Sequence, residues 1–440
     1  MFNRNNLKYI FILALGFFVS SAIYLSQNTI LEGFTSFEFS NRISILFGDL
    51  AMAFGILAFS LVYKKTKNMK KYYILSMSLT IISLLLFYAT TNVTLMCICL
   101  CLSCFFGTAG FCGGYHFSLI ASNIERKNRG RVFAFGYGTG SILAFLITLL
   151  PNNINNFYLS IFLFIPLLIL NIFLIVRNNL LNEININNKS KYFRRNLVLL
   201  IFLVVAMSLL SDCVIDLITI KNHNVEWLFF NSRLYYSLGL IIAGIIYDKF
   251  KDIFDYITLS SFVFYLISLM LINQSVSSNI VIGICYFMIG FFVVFRAVSF
   301  MNLIDTNKNN NYLSAYGLMF ARIGEVILAI TESHLLNNFV LLIIIESVIL
   351  VIILCIYIYL YIKNKYIKEE DKLKELSLKY KLSSIEEKVL DLLVKDFTRQ
   401  EIADKLFLSI NTIKVHVRNI YKKTNMNKQE LKEFYHLRAK

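Results

Sequence analysis

The chain has 440 residues, of which 57% are hydrophobic and only 16% charged, with 40 Phe, 25 Tyr and a mean hydropathy of +0.65. A soluble domain of that length carries far more charge, so the composition points to a polytopic membrane protein. The net charge of +16 is unevenly distributed, and the eight cysteines lie almost wholly in apolar runs, so no secreted disulfide framework is implied.

Crossing the hydrocarbon layer takes about 20 mostly apolar residues. Runs of that kind fall near 7–26, 43–63, 72–90, 94–121, 132–150, 157–177, 197–220, 228–248, 253–272, 279–300, 313–333 and 338–362. The first could pass for a signal peptide, but with eleven spans behind it, it reads as a retained helix. The basic stretch 177–195 divides the twelve into halves, 1–177 and 196–362. Loops "KKTKNMKK" (64–71), "ERKNRGR" (125–131) and 177–195 are rich in Lys and Arg. "TTNV" (90–93), "PNNINN" (151–156) and "NQSVSS" (273–278) have none. The positive-inside rule then predicts a multi-pass protein of the inner (cytoplasmic) membrane with both termini in the cytoplasm. The halves echo one another: Arg42 precedes Gly48 by six residues, as Arg233 precedes Gly239. Paired features of this kind fit a duplicated six-helix unit with a cavity between its copies.

Charges inside the spans are costly unless paired or hydrated. They are Asp49, Asp212, Asp216, Arg233, Arg296, Arg322, Glu325 and Glu346. Asp212 and Asp216 share a helix face, and Arg322 and Glu325, three apart, can pair. Either they are internal ion pairs between helices, or Asp49, Asp212, Asp216, Arg233, Arg322 and Glu325 orient a small polar ligand. His116 reads as a hydrogen-bonded core residue rather than a ligand or switch. Cys97, Cys101, Cys104 and Cys112 share one face of the fourth span, but no His or Asp completes a metal site, so they read as packing. No metal or cofactor is expected.

With this span count, division and topology, 1–362 resembles the major facilitator superfamily. "GIIYDKFKD" (244–252) is similar to that family's Gly-x-x-x-Asp-Arg/Lys loop, with Gly244, Asp248 and Lys249 at the key positions. The resemblance implies a latch between the halves there. The first half departs from the pattern, with Ala53 and Leu57 where Gly and Asp would stand.

Residues 363–381 carry charges of both signs without Gly or Pro, and read as a helical linker. A soluble domain follows over 382–440. Ser383, Thr398 and Asn427 each precede a Glu by three residues, and Ser409 can cap another helix. Four helices are predicted near 384–395, 399–406, 410–424 and 428–437. Val389, Leu390, Leu393, Ile402, Ala403, Leu406, Ile413, Val417 and Ile420 recur at helical spacing and predict one core. Two helices joined by "FLS", the second of them basic, form a helix-turn-helix pattern. Asn411, Lys414, Val415, Arg418 and Lys422 line one face of that second helix, with Lys423 beside them. The early residues can reach base edges and the later cations phosphate.

The stretch from Leu382 to Met426 resembles the LuxR-type helix-turn-helix of bacterial transcription regulators. Glu386, Val389, Leu390, Ile402, Ala403, Leu406, Ser409, Thr412, Ile413, Lys414, His416, Ile420 and Lys423 carry the match. Ile385, Asp396 and Thr424 depart from it, and none removes a groove-facing cation. The resemblance implies that Thr412, Lys414, Val415 and Arg418 contact double-stranded DNA, and that the protein binds it as a homodimer.

The expected fold is therefore all-α: a twelve-helix, six-plus-six transporter-like bundle followed by a four-helix LuxR-type domain. The expected function is that of a membrane-anchored one-component transcription regulator, whose bundle, set in the lipid bilayer, senses an unknown small molecule or membrane state. The alternative is a secondary transporter with a regulatory DNA-binding tail. Neither loops nor tail present a nucleophile–base pair or phosphate loop, so an enzyme is not expected.

Overall fold

The computed structural model describes residues 4–36, 39–40, 43–66, 68–148, 160–177, 197–211, 225–272, 278–302, 308–335, 340–341, 343–359, 377, 380–394, 397–428 and 430–431. Among these residues there is no strand. The chain forms two compact units, Met1–Leu354 and Cys355–Lys440.

Among the described residues, each of the twelve apolar runs contains helix, as expected where backbone polar groups in lipid must pair within their own segment. The first half contains α1 (Arg4–Phe34), α2 (Leu50–Lys65), α3 (Met69–Ala89), α4 (Val93–Phe106), α5 (Phe111–Asn123), α6 (Arg129–Thr148) and α7 (Ile165–Val176). The second contains α8 (Leu197–Ser211), α9 (Val225–Lys249), α10 (Lys251–Ile272), α11 (Ser278–Asn302), α12 (Tyr316–Leu335) and α13 (Ile343–Tyr359). Among the described residues, seven helical stretches are long and apolar enough to cross a membrane. Large apolar side chains such as Phe54, Leu75, Phe162 and Phe173 are exposed, as expected of a surface solvated by lipid.

A π-helical turn, Ser44–Asp49, leads into α2 and ends on a buried carboxylate. Such wide turns occur disproportionately at functional positions.

One glycine in each expected half lets two helices touch closely. A Cβ on Gly55 of α2 would run into the Phe105 carbonyl at the end of α4. One on Gly239 of α9 would run into the Phe287 carbonyl of α11. Helix α2 thus meets α4 as α9 meets α11, and on this geometry Gly55 rather than Gly48 is the counterpart of Gly239. Gly48 makes only ordinary contacts, with Leu100, Tyr24 and Cys104. Counting on from this pair corrects the sequence register. Opposite Gly244, Asp248 and Lys249 stand Ser60, Lys64 and Lys65, not Ala53 and Leu57.

The tail contains α14 (Ser384–Val394), α15 (Arg399–Leu406) and α16 (Ile410–Thr424). The start of the expected fourth helix is described only in part. Three reciprocal caps are formed as the spacing predicts. Ser383 N–H donates to Glu386 at 2.7 Å, Thr398 N–H to Glu401 at 2.7 Å and Asn427 N–H to Glu430 at 2.8 Å. Each Glu N–H returns a bond to the capping side chain. Eight of the nine expected core residues are buried together, and Leu406 packs half-buried against them.

Gly55→Val and Gly239→Val should each destabilise the membrane unit by about 1–3 kcal/mol, because backbone rather than a movable side chain opposes the added methyls. Thermal unfolding of purified protein in detergent would check this; midpoints unchanged in both variants would mean that these crossings are not tight.

Candidate functional site

Four ionisable side chains from three parts of the bundle meet in its interior. Arg322 Nη1 on α12 donates to Asp49 Oδ1 at 3.2 Å and to Glu325 Oε2 at 2.5 Å. Arg296 Nη1 on α11 stands 3.8 Å from Glu325 Oε1 and lies over the Phe292 ring. The Asp49 and Arg296 side chains are only 5% and 7% exposed. Two arginines balance two carboxylates, which is what makes burial of all four tolerable. Tyr137 and Tyr236 stack edge to face beside them, ring centroids 6.0 Å apart.

Of the predicted ligand residues, the structure therefore unites Asp49, Arg322 and Glu325. It adds Arg296, which sequence reasoning noted as an intramembrane charge but did not assign to the site. Asp212 and Asp216 lie outside the described residues, as does the side chain of Arg233. His116 is buried and hydrogen-bonded, its Nε2 3.0 Å from Tyr73 Oη, which donates to Asn171 at 2.6 Å.

At the end of the bundle bearing the basic loops 64–71 and 125–131, the halves are latched together. Asp248 accepts from the Gly130 and Arg131 backbone N–H groups at 3.0 and 2.9 Å, and from Arg131 Nε at 3.0 Å. A carboxylate at a helix start meets both unpaired donors and the positive end of the helix dipole. Arg129 ties the same helix to α11 through the Met301 carbonyl and Asn302. In the pseudo-equivalent place, Lys64 sits over the Tyr312 ring at 4.3 Å, and Ser60 donates to the Tyr312 carbonyl at 3.2 Å. One latch is an ion pair on a helix start; the other is a cation over an aromatic ring.

In the tail, Ser409 caps α16 by accepting from Thr412 N–H at 3.0 Å, which fixes where the helix begins. Ile413, Val417 and Ile420 are buried, so the spacing turns Asn411, Lys414, Val415, Arg418 and Lys422 outward, and all five are exposed. Thr412 is half-buried, its hydroxyl 2.7 Å from that of Ser409. Lys423 is engaged differently: its ammonium lies 2.6 Å from buried Glu386 and donates to the Lys381 carbonyl. The turn before α16 passes through Phe407, left-handed at φ 53° and 93% exposed.

Residues 380–434 match the family model described as bacterial regulatory proteins, luxR family. Covering 79% of its length, the chain superposes on 98% of a crystal structure of the E. coli fucose:proton symporter FucP, with TM-score 0.57 at 13% identity. A structure of FucP as a major facilitator superfamily transporter in the outward conformation covers 80% of this chain and 99% of its own, with TM-score 0.56 at 13% identity. No curated protein matches the chain. The protein thus joins a bundle of major facilitator fold to a LuxR-family DNA-binding domain.

Burial raises the Glu386 carboxyl, but the Lys423 ammonium and the Ser383 cap outweigh it and hold the group below the ordinary glutamate range. A depressed folded-state value means that the stabilisation is complete above the unfolded value and is lost as pH falls through the folded one. Glu386→Gln should therefore lower the tail's unfolding midpoint at neutral pH, with the difference closing in acid. Lys423→Met should cost about 1–2 kcal/mol of tail stability. Unfolding midpoints of the tail across the acid range check both, and a pH-independent difference would contradict the ion-pair assignment.

Proposed function

We propose that the protein is a membrane-anchored one-component transcription regulator. Its twelve-span bundle senses a small polar ligand or a membrane state, and its cytoplasmic tail binds double-stranded DNA as a homodimer. The observation that carries this reading is the exposed row Asn411, Lys414, Val415, Arg418 and Lys422 on the second helix of a LuxR-family domain. Asn411, Thr412 and Lys414 stand near the start of α16, where a recognition helix meets base edges in the major groove. Arg418 and Lys422 follow along the same face toward phosphate. Lys423, held by Glu386, serves the fold first.

For the input side, the balanced charges of Asp49, Arg322, Glu325 and Arg296 offer a switchable centre. A polar molecule that takes one partner of these pairs favours one arrangement of the helices over another. Asp212, Asp216 and Arg233 remain candidate ligand residues. Basic loops, by the positive-inside rule, put both termini on the cytoplasmic side.

A second reading, a secondary transporter with a regulatory tail, draws on the major facilitator fold and on the Asp248 latch. Proteoliposome flux of the compounds that trigger the response separates the two; robust uptake would favour the transporter.

Lys414→Ala and Arg418→Ala should each weaken operator binding by about 1–3 kcal/mol where the lost contact is to a base. Lys422→Ala should reduce the salt dependence of binding by about one phosphate contact. Mobility shifts across a salt series measure both, and unchanged affinity at Lys414 and Arg418 would remove α16 from the groove. Asp49→Asn should blunt the ligand response of a target promoter while leaving operator affinity intact. A normal response would make the charge cluster purely structural.

A further inference from the structure

The outward side of α16 carries more than cations. Ile410, Lys414 and Arg418 follow at four-residue spacing, Asn411, Val415 and Lys422 lie along the same side, and all six are exposed. Ahead of them, in the turn between α15 and α16, stands Phe407 with 93% of its surface in the open. The turn is held firmly. Phe407 N–H donates to the Ala403 and Asp404 carbonyls, and Leu408 N–H donates to the Ala403 carbonyl at 3.0 Å. A φ of 53° suits glycine, and this backbone presents a large ring instead. From Lys405 to Gln429 the chain has no acidic residue, whereas Glu387, Asp391, Glu401 and Asp404 belong to α14 and α15.

DNA reading accounts for part of this surface. Its cations and Asn411 suit phosphate and base edges, and Val415 suits a thymine methyl. Phe407 precedes the helix that enters the groove, and neither kind of contact needs an aromatic ring there. A ring and branched apolar side chains beside a row of cations match the make-up of a surface that settles into a lipid interface. The apolar groups enter the acyl boundary and the cations meet headgroup phosphate. The chain brings its own bilayer. Twenty residues separate Tyr359, at the end of α13, from Tyr380, and they span at most about 70 Å when fully extended. Such a tether keeps the membrane at high effective concentration around the tail, an advantage that a soluble protein partner lacks.

We propose that the DNA-facing side of the tail is also a docking face for anionic lipid, seating Phe407, Ile410 and Val415 in the interface and Lys414, Arg418 and Lys422 on lipid phosphates. Lipid and DNA then compete for one surface, and a tail resting on the membrane is withheld from DNA. The assignment rests on the membrane-anchored reading with a cytoplasmic tail and adds to it a resting state.

The test uses the full chain carrying Trp227→Phe and Phe407→Trp, so that its one indole reports on the turn. It is placed in nanodiscs with brominated acyl chains, made of phosphatidylcholine alone or in equal parts with phosphatidylglycerol. Emission should be quenched in the anionic discs only, and a short random-sequence duplex added at low salt should relieve the quenching. Phe407→Gly suits the left-handed turn. In an otherwise unaltered chain it should tighten duplex binding about tenfold in anionic discs, through loss of one buried ring, and leave binding in neutral discs unchanged. The proposal is overturned if the anionic discs quench no more than the neutral ones. Weaker duplex binding by Phe407→Gly in neutral discs would overturn it too, making the ring a DNA contact. So would duplex binding unchanged in both discs with target-promoter output lost, which would give the ring to a protein partner. Quenching without any duplex binding would keep the docking face and remove the DNA-reading function, and duplex binding without quenching would do the reverse.

Discussion

Placing Asp49, Arg322, Glu325 and Arg296 away from water carries a large desolvation cost, and only their mutual neutralisation makes it tolerable. That constraint draws together the π turn before α2, α11 and α12, which come from both halves of the bundle. On the proposed sensing reading, two charges of each sign exchange partners with little change in total charge, and a modest ligand interaction would choose between arrangements.

The ends of the bundle follow the same logic with weaker forces. Asp248 fastens one half to the start of α6 through two backbone donors and Arg131. The pseudo-symmetric position holds Lys64 over Tyr312 instead. The two places thus correspond in the expected six-plus-six repeat and differ in charge. A cation–π contact at a hydrated surface is worth about 0.5–1 kcal/mol, less than a carboxylate on a helix start with an arginine beside it. The two contacts are therefore unequal, and the Lys64 side is the weaker one.

Legibility in the sequence followed the range of the forces. The tail's helix starts were readable because caps are local: Ser383, Thr398 and Asn427 declare themselves through a Glu three residues on. Its core was readable because Val389, Ile402 and Ile413 recur at helical period. In the bundle, hydropathy located the helices, and the three-residue spacing of Arg322 and Glu325 foretold their pairing. The pairing of Arg322 with Asp49, 273 positions away, has no local signature, nor has the approach of Arg296. The register between the halves was misread because Gly48 and Gly55 look alike in a sequence, whereas only Gly55 meets a backbone carbonyl closely. Lys423 looked like another groove cation; its attachment to Glu386 belongs to the folded domain and to no run of residues.

In this chain a LuxR-family domain follows a bundle of major facilitator fold, and the proposed function makes the first a reader of DNA and the second its anchor in lipid. The central claim is that they work together while the chain remains in the membrane. Sequencing the DNA cross-linked in living cells to the intact, membrane-embedded chain tests this most directly. The account predicts discrete sites, each with paired half-sites about one helical turn apart. Recovery of no more DNA at discrete sites than from cells lacking the chain would contradict it.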